Sequence, residues 1–165
     1  MSNKQKKGEI IKIKGNFNLA FIEAEAFFET ACMCESKHLK LDMNSSFLFP
    51  FVVNLTFACE LYLKSIMMSI SENNEFMKTH DLNILFENLG NDKIKDVLQK
   101  SFEEKGKKLS DFLEQHKNHF IDFRYAFEEN DKKLCVFSTD LGNFANCLRD
   151  YCLALKTKNN TREVK

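Results

Sequence analysis

Turn-forming residues and charge excess are what this chain has least of. It contains one Pro, no Trp and five Gly in 165 residues. Hairpins and tight turns draw on Gly and Pro for their backbone angles, so this scarcity argues against a turn-rich all-β fold. Lys plus Arg equals Asp plus Glu at 24 each, for a net charge of +0. A domain that coats nucleic acid by bulk electrostatics carries a strong basic excess. That mode is disfavoured, and only a local basic patch formed by two subunits stays open. No phosphate loop, GxGxxG turn, nucleophile elbow or zinc-finger spacing occurs. Long apolar runs are lacking as well: the strongest, Phe47 to Phe57, is interrupted by Pro50 and Asn54 and is too short to cross a bilayer. The opening MSNKQKKGEIIKIKG has no apolar core of the length a secretory leader needs. The expectation is a cytoplasmic protein with no membrane association.

What is present points to helices. The length suits one domain with a real core, and 44% apolar with 29% charged residues is an ordinary globular balance. Seventeen Phe fill volume without needing a hydrogen-bond partner, so core filling is their expected use. Six Cys in a reducing compartment are expected as thiols. Cys32 and Cys34 fall on opposite sides of a helix, and Cys147 and Cys152 lie roughly 140° apart on another, so buried small hydrophobes is their expected role. Residues 1–15 are expected as a flexible basic arm, 16–158 as a single helical domain and 159–165 as a frayed tail.

Within that domain a first helix is predicted from about Phe17 to Ser36, burying Leu19, Ile22, Ala26 and Cys32 or Met33. Ser45 or Ser46 is suited to cap a second helix, FLFPFVVNLTFACELYLKSIMMSI, with Pro50 tolerated in its first turn. Apolar over most of its surface, this helix should be the most buried element. Glu60 and Lys64 are its main charged pair, which marks either an exposed edge or a functional cleft, since ion pairs among apolar side chains are costly. THDLNILFENLG predicts a short helix packed through Leu82, Leu85, Phe86 and Leu89. Asp81 favours its positive end and Gly90 its stop, and His80 stands at its entrance. A helix over Asp92–Phe102, packed through Ile94, Val97, Leu98 and Phe102, and a last helix from Ser138 or Thr139 to about Lys156 complete the pattern.

The stretch LSDFLEQHKNHFIDFRYAFEEN, residues 109–130, reads as one long helix. At roughly 100° per residue, Leu109, Phe112, Leu113, Phe120, Phe123 and Phe127 share a stripe, opposite Glu114, Lys117 and Asp122. His116 projects from the stripe, His119 and Arg124 flank it, and Glu128 is one turn beyond Arg124. His116 and His119 lack a third ligand of fixed geometry, so neither a metal nor any other cofactor is expected. Two imidazoles with an arginine suit metal-free RNA cleavage, in which an imidazole takes the 2′-hydroxyl proton and the arginine stabilises charge on the phosphate. They equally suit a core histidine and a surface Arg124–Glu128 pair.

Four segments taken in order, ACELYLKSIMM, KTHDLNILFENL, FLEQHKNHFIDFRYAFE and LGNFANCLRDYCLAL, resemble the HEPN superfamily (higher eukaryotes and prokaryotes nucleotide-binding domain). The resemblance spans about Phe51 to Leu155. It implies an all-α, up-and-down bundle of four to five main helices, dimerising through the helices that carry its polar residues. Many members are metal-independent endoribonucleases of toxin–antitoxin, phage-defence or RNA-processing systems; others bind nucleotides or proteins without catalysis. The family's signature is an Arg and a following His separated by four to six residues. Arg124 matches the Arg and Tyr125 the polar residue after it, whereas the His positions hold Glu129, Asn130 and Asp131. Candidate catalytic residues are therefore Arg124, His119, His116 and His80. Candidate substrate-binding residues are Lys64, Glu60, Tyr125, Glu128 and Asp81. The expected partners are a second copy of the chain, RNA or a nucleotide, and a partner or antitoxin-like protein if the domain is a non-catalytic interaction module.

Overall fold

The computed structural model describes residues 11–40, 47–117, 119–125 and 138–160. Its elements are β1 (Lys12–Lys14), α1 (Phe17–Lys40), α2 (Leu48–Ile70), β2 (Glu75–Met77), α3 (Leu82–Glu87), α4 (Asp92–Glu103), α5 (Leu109–His116), α6 (His119–Arg124) and α7 (Ser138–Asn160). The protein is an all-α helical bundle with one short antiparallel ribbon, β1 against β2, in the register Lys12–Met77, Ile13–Phe76 and Lys14–Glu75. That ribbon orders the end of the stretch expected as a basic arm.

Helix α2 is the centre. It packs against α1, α3, α6, α7 and β2, and Val52, Ala58, Cys59, Tyr62, Leu63 and Ile66 are wholly removed from water. Pro50 and Asn54 do not interrupt it: the Pro lies in the first turn, and the Asn54 amide donates to the Pro50 carbonyl. The helix is thus continuous well past Phe57, and it is long and apolar enough to cross a membrane, although 78% of its most apolar window is buried inside the protein. Its N-cap is Phe47, without a side-chain capping bond; Ser45 and Ser46 lie outside the described residues.

Helix α1 turns a different face inward from the one its larger apolar residues suggest. Phe21, Ala24 and Ala31 are buried, with Phe27 and Phe28 packed beside them. Leu19 at 57%, Ile22 at 57% and Met33 at 69% are exposed. Small Ala residues let α1 lie close on α2, and Phe27 meets Phe57 edge-on at 4.6 Å. Glu25 completes this seam. It accepts from the Tyr62 hydroxyl of α2 and from Nε and Nη2 of Arg149 on α7, both at 2.8 Å. Burial acts to raise the Glu25 pKa, but the Arg149 and Tyr62 hydrogen bonds outweigh it and hold the carboxylate below its usual range.

Helices α4, α5 and α7 meet through Phe102, Phe112 and Phe144, whose rings lie 5.0–5.9 Å apart. Val97, expected in this layer, is 52% exposed, while Ile94, Leu98 and Phe102 are buried as expected. Of the cysteines, Cys59, Cys147 and Cys152 are buried thiols, Cys34 is half-buried and Cys32 exposed; Cys135 lies outside the described residues.

Asp81 caps α3 itself, accepting from the Ile84 amide at 2.9 Å, and Gly90, at φ +68°, turns the chain into α4. Replacing Asp81 by Ala should cost about 1 kcal/mol, measured as a lowered urea midpoint at unchanged m-value; an unchanged midpoint would mean the cap bond is not formed in solution.

The long helix expected over 109–130 is interrupted within its described part, residues 109–117 and 119–125. α5 ends at His116 and α6 starts at His119, and the Leu82 amide donates to the Lys117 carbonyl at 3.4 Å. That contact joins positions 35 apart in sequence, and no Gly or Pro marks the place.

Candidate functional site

A polar cluster forms where α2, the residues before α3, and α6 meet. Glu60 is 1% exposed, and its carboxylate is shared. Oε1 accepts from Lys64 Nζ at 2.5 Å, and Oε2 accepts from His80 Nδ1 at 2.9 Å. Since an ionised carboxylate can only accept, Nδ1 carries the proton and Nε2 is the basic nitrogen of the His80 ring. Glu60 and Lys64 lie one helical turn apart, so the pair is set by α2 alone. His80 is delivered by the turn after β2, and its side chain is 51% exposed. Of the two placements open to the Glu60–Lys64 pair, edge or cleft, the geometry is that of a cleft.

Phe120 of α6 extends the cluster. Its ring stacks on His80 at 5.2 Å and 28° and on Phe57 at 5.0 Å. The Arg124 guanidinium lies 5.7 Å from the centre of the same ring and 5.4 Å from that of Tyr125. Arg124 and Tyr125 are exposed. One buried phenylalanine thus brings a half-exposed imidazole and an exposed guanidinium against a single ring. Glu128, expected as the ionic partner of Arg124, lies outside the described residues, as do Glu129, Asn130 and Asp131.

A pocket of about 340 Å³ opens beside the cluster, with Glu60, Lys64 and His80 in its lining and Lys14, Gly15 and Asn16 at its lip. Nothing in the sequence pattern marks these last three as site residues, because the ribbon that folds them onto α2 pairs positions far apart in sequence. Gly15 fits there for lack of a side chain: a Cβ would come within 2.6 Å of Met68 Sδ and 2.7 Å of the Phe76 ring.

The other two candidate histidines are elsewhere. His116 is 0% and His119 6% exposed, and neither lines the pocket. The rings sit 4.3 Å apart among Phe112 and Phe123. His116 Nδ1 donates to the Phe112 carbonyl at 2.9 Å, while His119 Nδ1 has no hydrogen-bond partner among the described residues. Burial and the neighbouring His116 push His119 down to about 4, and burial likewise lowers His116. Both are neutral core residues at neutral pH. Asp81, a candidate ligand-binding residue, spends its carboxylate on the α3 cap. Among the described residues no group of three or more His, Cys, Asp or Glu could hold a metal ion.

No protein-family model, no curated protein and no solved structure matches this chain.

Proposed function

We propose that the chain is a HEPN-like helical domain that binds RNA at the Glu60–Lys64–His80 cleft and cleaves it without a metal ion, as a cytoplasmic homodimer in a bacterial defence or toxin–antitoxin system. The observation that carries this reading is the His80 ring, fixed through Nδ1 by a buried carboxylate and half-exposed, one phenylalanine away from Arg124. A carboxylate on one imidazole nitrogen fixes the tautomer in which the other can take a proton. In the proposed reaction His80 Nε2 removes the 2′-hydroxyl proton, and the 2′-oxygen attacks the adjacent phosphorus. Arg124 offsets charge growing on the non-bridging oxygens. The 5′-oxygen leaves with the proton returned by the imidazolium, giving 2′,3′-cyclic phosphate and 5′-hydroxyl ends.

Purified protein in EDTA should degrade total cellular RNA to fragments with those ends. His80→Ala and Arg124→Ala should each slow it about a hundredfold or more. Undiminished cleavage by both variants would remove this catalytic assignment. A second reading, a non-catalytic module that recruits a partner protein, is favoured by the exposed apolar residues Leu19, Ile22 and Met33 along α1. RNA left intact at high protein concentration would move the argument to that reading.

A further inference from the structure

The outward face of α1 carries an apolar strip. Leu19, Ile22 and Met33 are exposed on it, and so are Ala26 and Thr30 between them. At roughly 100° and 1.5 Å per residue, these five fall within a strip about 80° wide and about 21 Å long. The Thr30 hydroxyl donates to the Ala26 carbonyl at 2.8 Å, so its polarity is spent inside the helix. Ala26 and Thr30 leave a notch between the bulkier Ile22 and Met33. An apolar strip at three- and four-residue spacing is the surface one helix offers to another.

Charge narrows what kind of helix fits. From Phe17 to Ser36 the chain carries Glu23, Glu25, Glu29 and Glu35 and no Lys or Arg. Glu25 turns inward to Tyr62 and Arg149. Glu23 and Glu29 are exposed, roughly 60° to either side of Ala26. Neither is in an ion pair among the described residues. The strip therefore runs between two uncompensated carboxylates, which attract Lys or Arg and repel phosphate backbones and anionic lipid. A second copy of the same face would bring the same acids against them, and like charges juxtaposed across an interface are disfavoured.

We propose that this face of α1 docks an amphipathic helix of a different protein, one whose apolar stripe is flanked by Lys or Arg. The inference deepens the partner-recruiting reading above and rests on it, whether or not the cleft cuts RNA. A homodimer would then form through another face.

Fluorescence anisotropy of labelled three-heptad helical peptides, titrated with the full chain, tests this. One peptide has a leucine stripe flanked by lysine, a second the same stripe flanked by glutamate, and a third the lysines with glutamine in place of leucine. The leucine–lysine peptide should bind about tenfold more tightly than either of the others. Ile22→Gln combined with Met33→Gln should weaken it about tenfold and leave the oligomeric state unchanged. Glu23→Lys combined with Glu29→Lys should invert the preference, so that the leucine–glutamate peptide binds best. All four positions are exposed, so these variants keep the fold, which unfolding midpoints check. Leucine–lysine binding that neither double variant moves would overturn the α1 site and leave recruitment through another face standing. No binding of that peptide by the wild-type chain would overturn the site and remove the observation behind partner recruitment. A dimer dissolved by the Gln variant would give the face to a second copy and overturn the foreign partner.

Discussion

Replacing Glu60 by Leu should destabilise the protein by about 3–5 kcal/mol, the cost of leaving one partner of a buried ion pair uncompensated. The carboxylate is 1% exposed and Lys64 9% exposed, so water cannot replace the lost acceptor without opening α2. For a chain of this size the loss corresponds to roughly 10 °C in melting temperature. Glu60→Leu combined with Lys64→Met should restore most of it, since a packed apolar pair avoids the desolvation of both charges. Urea unfolding of the two single variants and the double variant measures the coupling directly. A single-variant loss below about 1 kcal/mol, the range of solvated ion pairs, would show that the pair is wet in solution. A stable double variant also separates the fold from the proposed activity: His80 loses its anchor, so any cleavage of the proposed kind should fall even though the bundle is intact.

Acidification from pH 7 to pH 4 should cost the folded state on the order of 3 kcal/mol through His119 alone. The folded protein holds this imidazole down at about 4 against an ordinary value of 6.5. Between those two values the unfolded chain binds the proton and the folded chain does not, so stability falls as pH falls through the window. Below about 4 both states are protonated and the loss is complete. His116, also lowered by burial, acts in the same direction. His119→Leu should flatten the dependence, so that unfolding free energies measured at pH 7 and pH 4 differ by correspondingly less than in the wild type. Equal slopes in variant and wild type would mean that His119 is already solvated in the native state. The effect bears on the site, because His119 opens α6, which carries Phe120 and Arg124.

The architecture was largely legible in the residues, and the site only in part. α2 announces itself as nearly continuous apolar sequence, and it is the most buried helix. The inward face of α1 does not, because its largest aliphatic side chains, Leu19, Ile22 and Met33, are on the wet side. What decides its orientation is the fit of Ala24 and Ala31 against a neighbouring helix, which periodicity cannot weigh. The break between α5 and α6 was hidden because the apolar spacing runs straight through Lys117. The Glu60–Lys64 pair was visible at its i, i+4 spacing. Its third partner, His80, is 20 positions on and comes back only through the turn of β2. The clustering of His116 and His119 with Arg124 along one sequence suggested a shared cleft, but a bulky aromatic stripe draws the two imidazoles into the core and leaves the guanidinium outside.

The pairing of β1 with β2 has a bearing on how the protein is made. Strand residues Lys12–Lys14 leave the ribosome before α1, yet their partners Glu75–Met77 follow only after the whole of α1 and α2 has been synthesised. Helices form early because their contacts are local, whereas a ladder joining such separated positions must wait for its loop to close. The two helices can therefore dock while the lip of the pocket is still absent, and the cleft is finished only when the first strand is captured. A nascent chain arrested before residue 77 would hold Glu60 and Lys64 without the ribbon beside them, so the pocket is completed at a late step of folding.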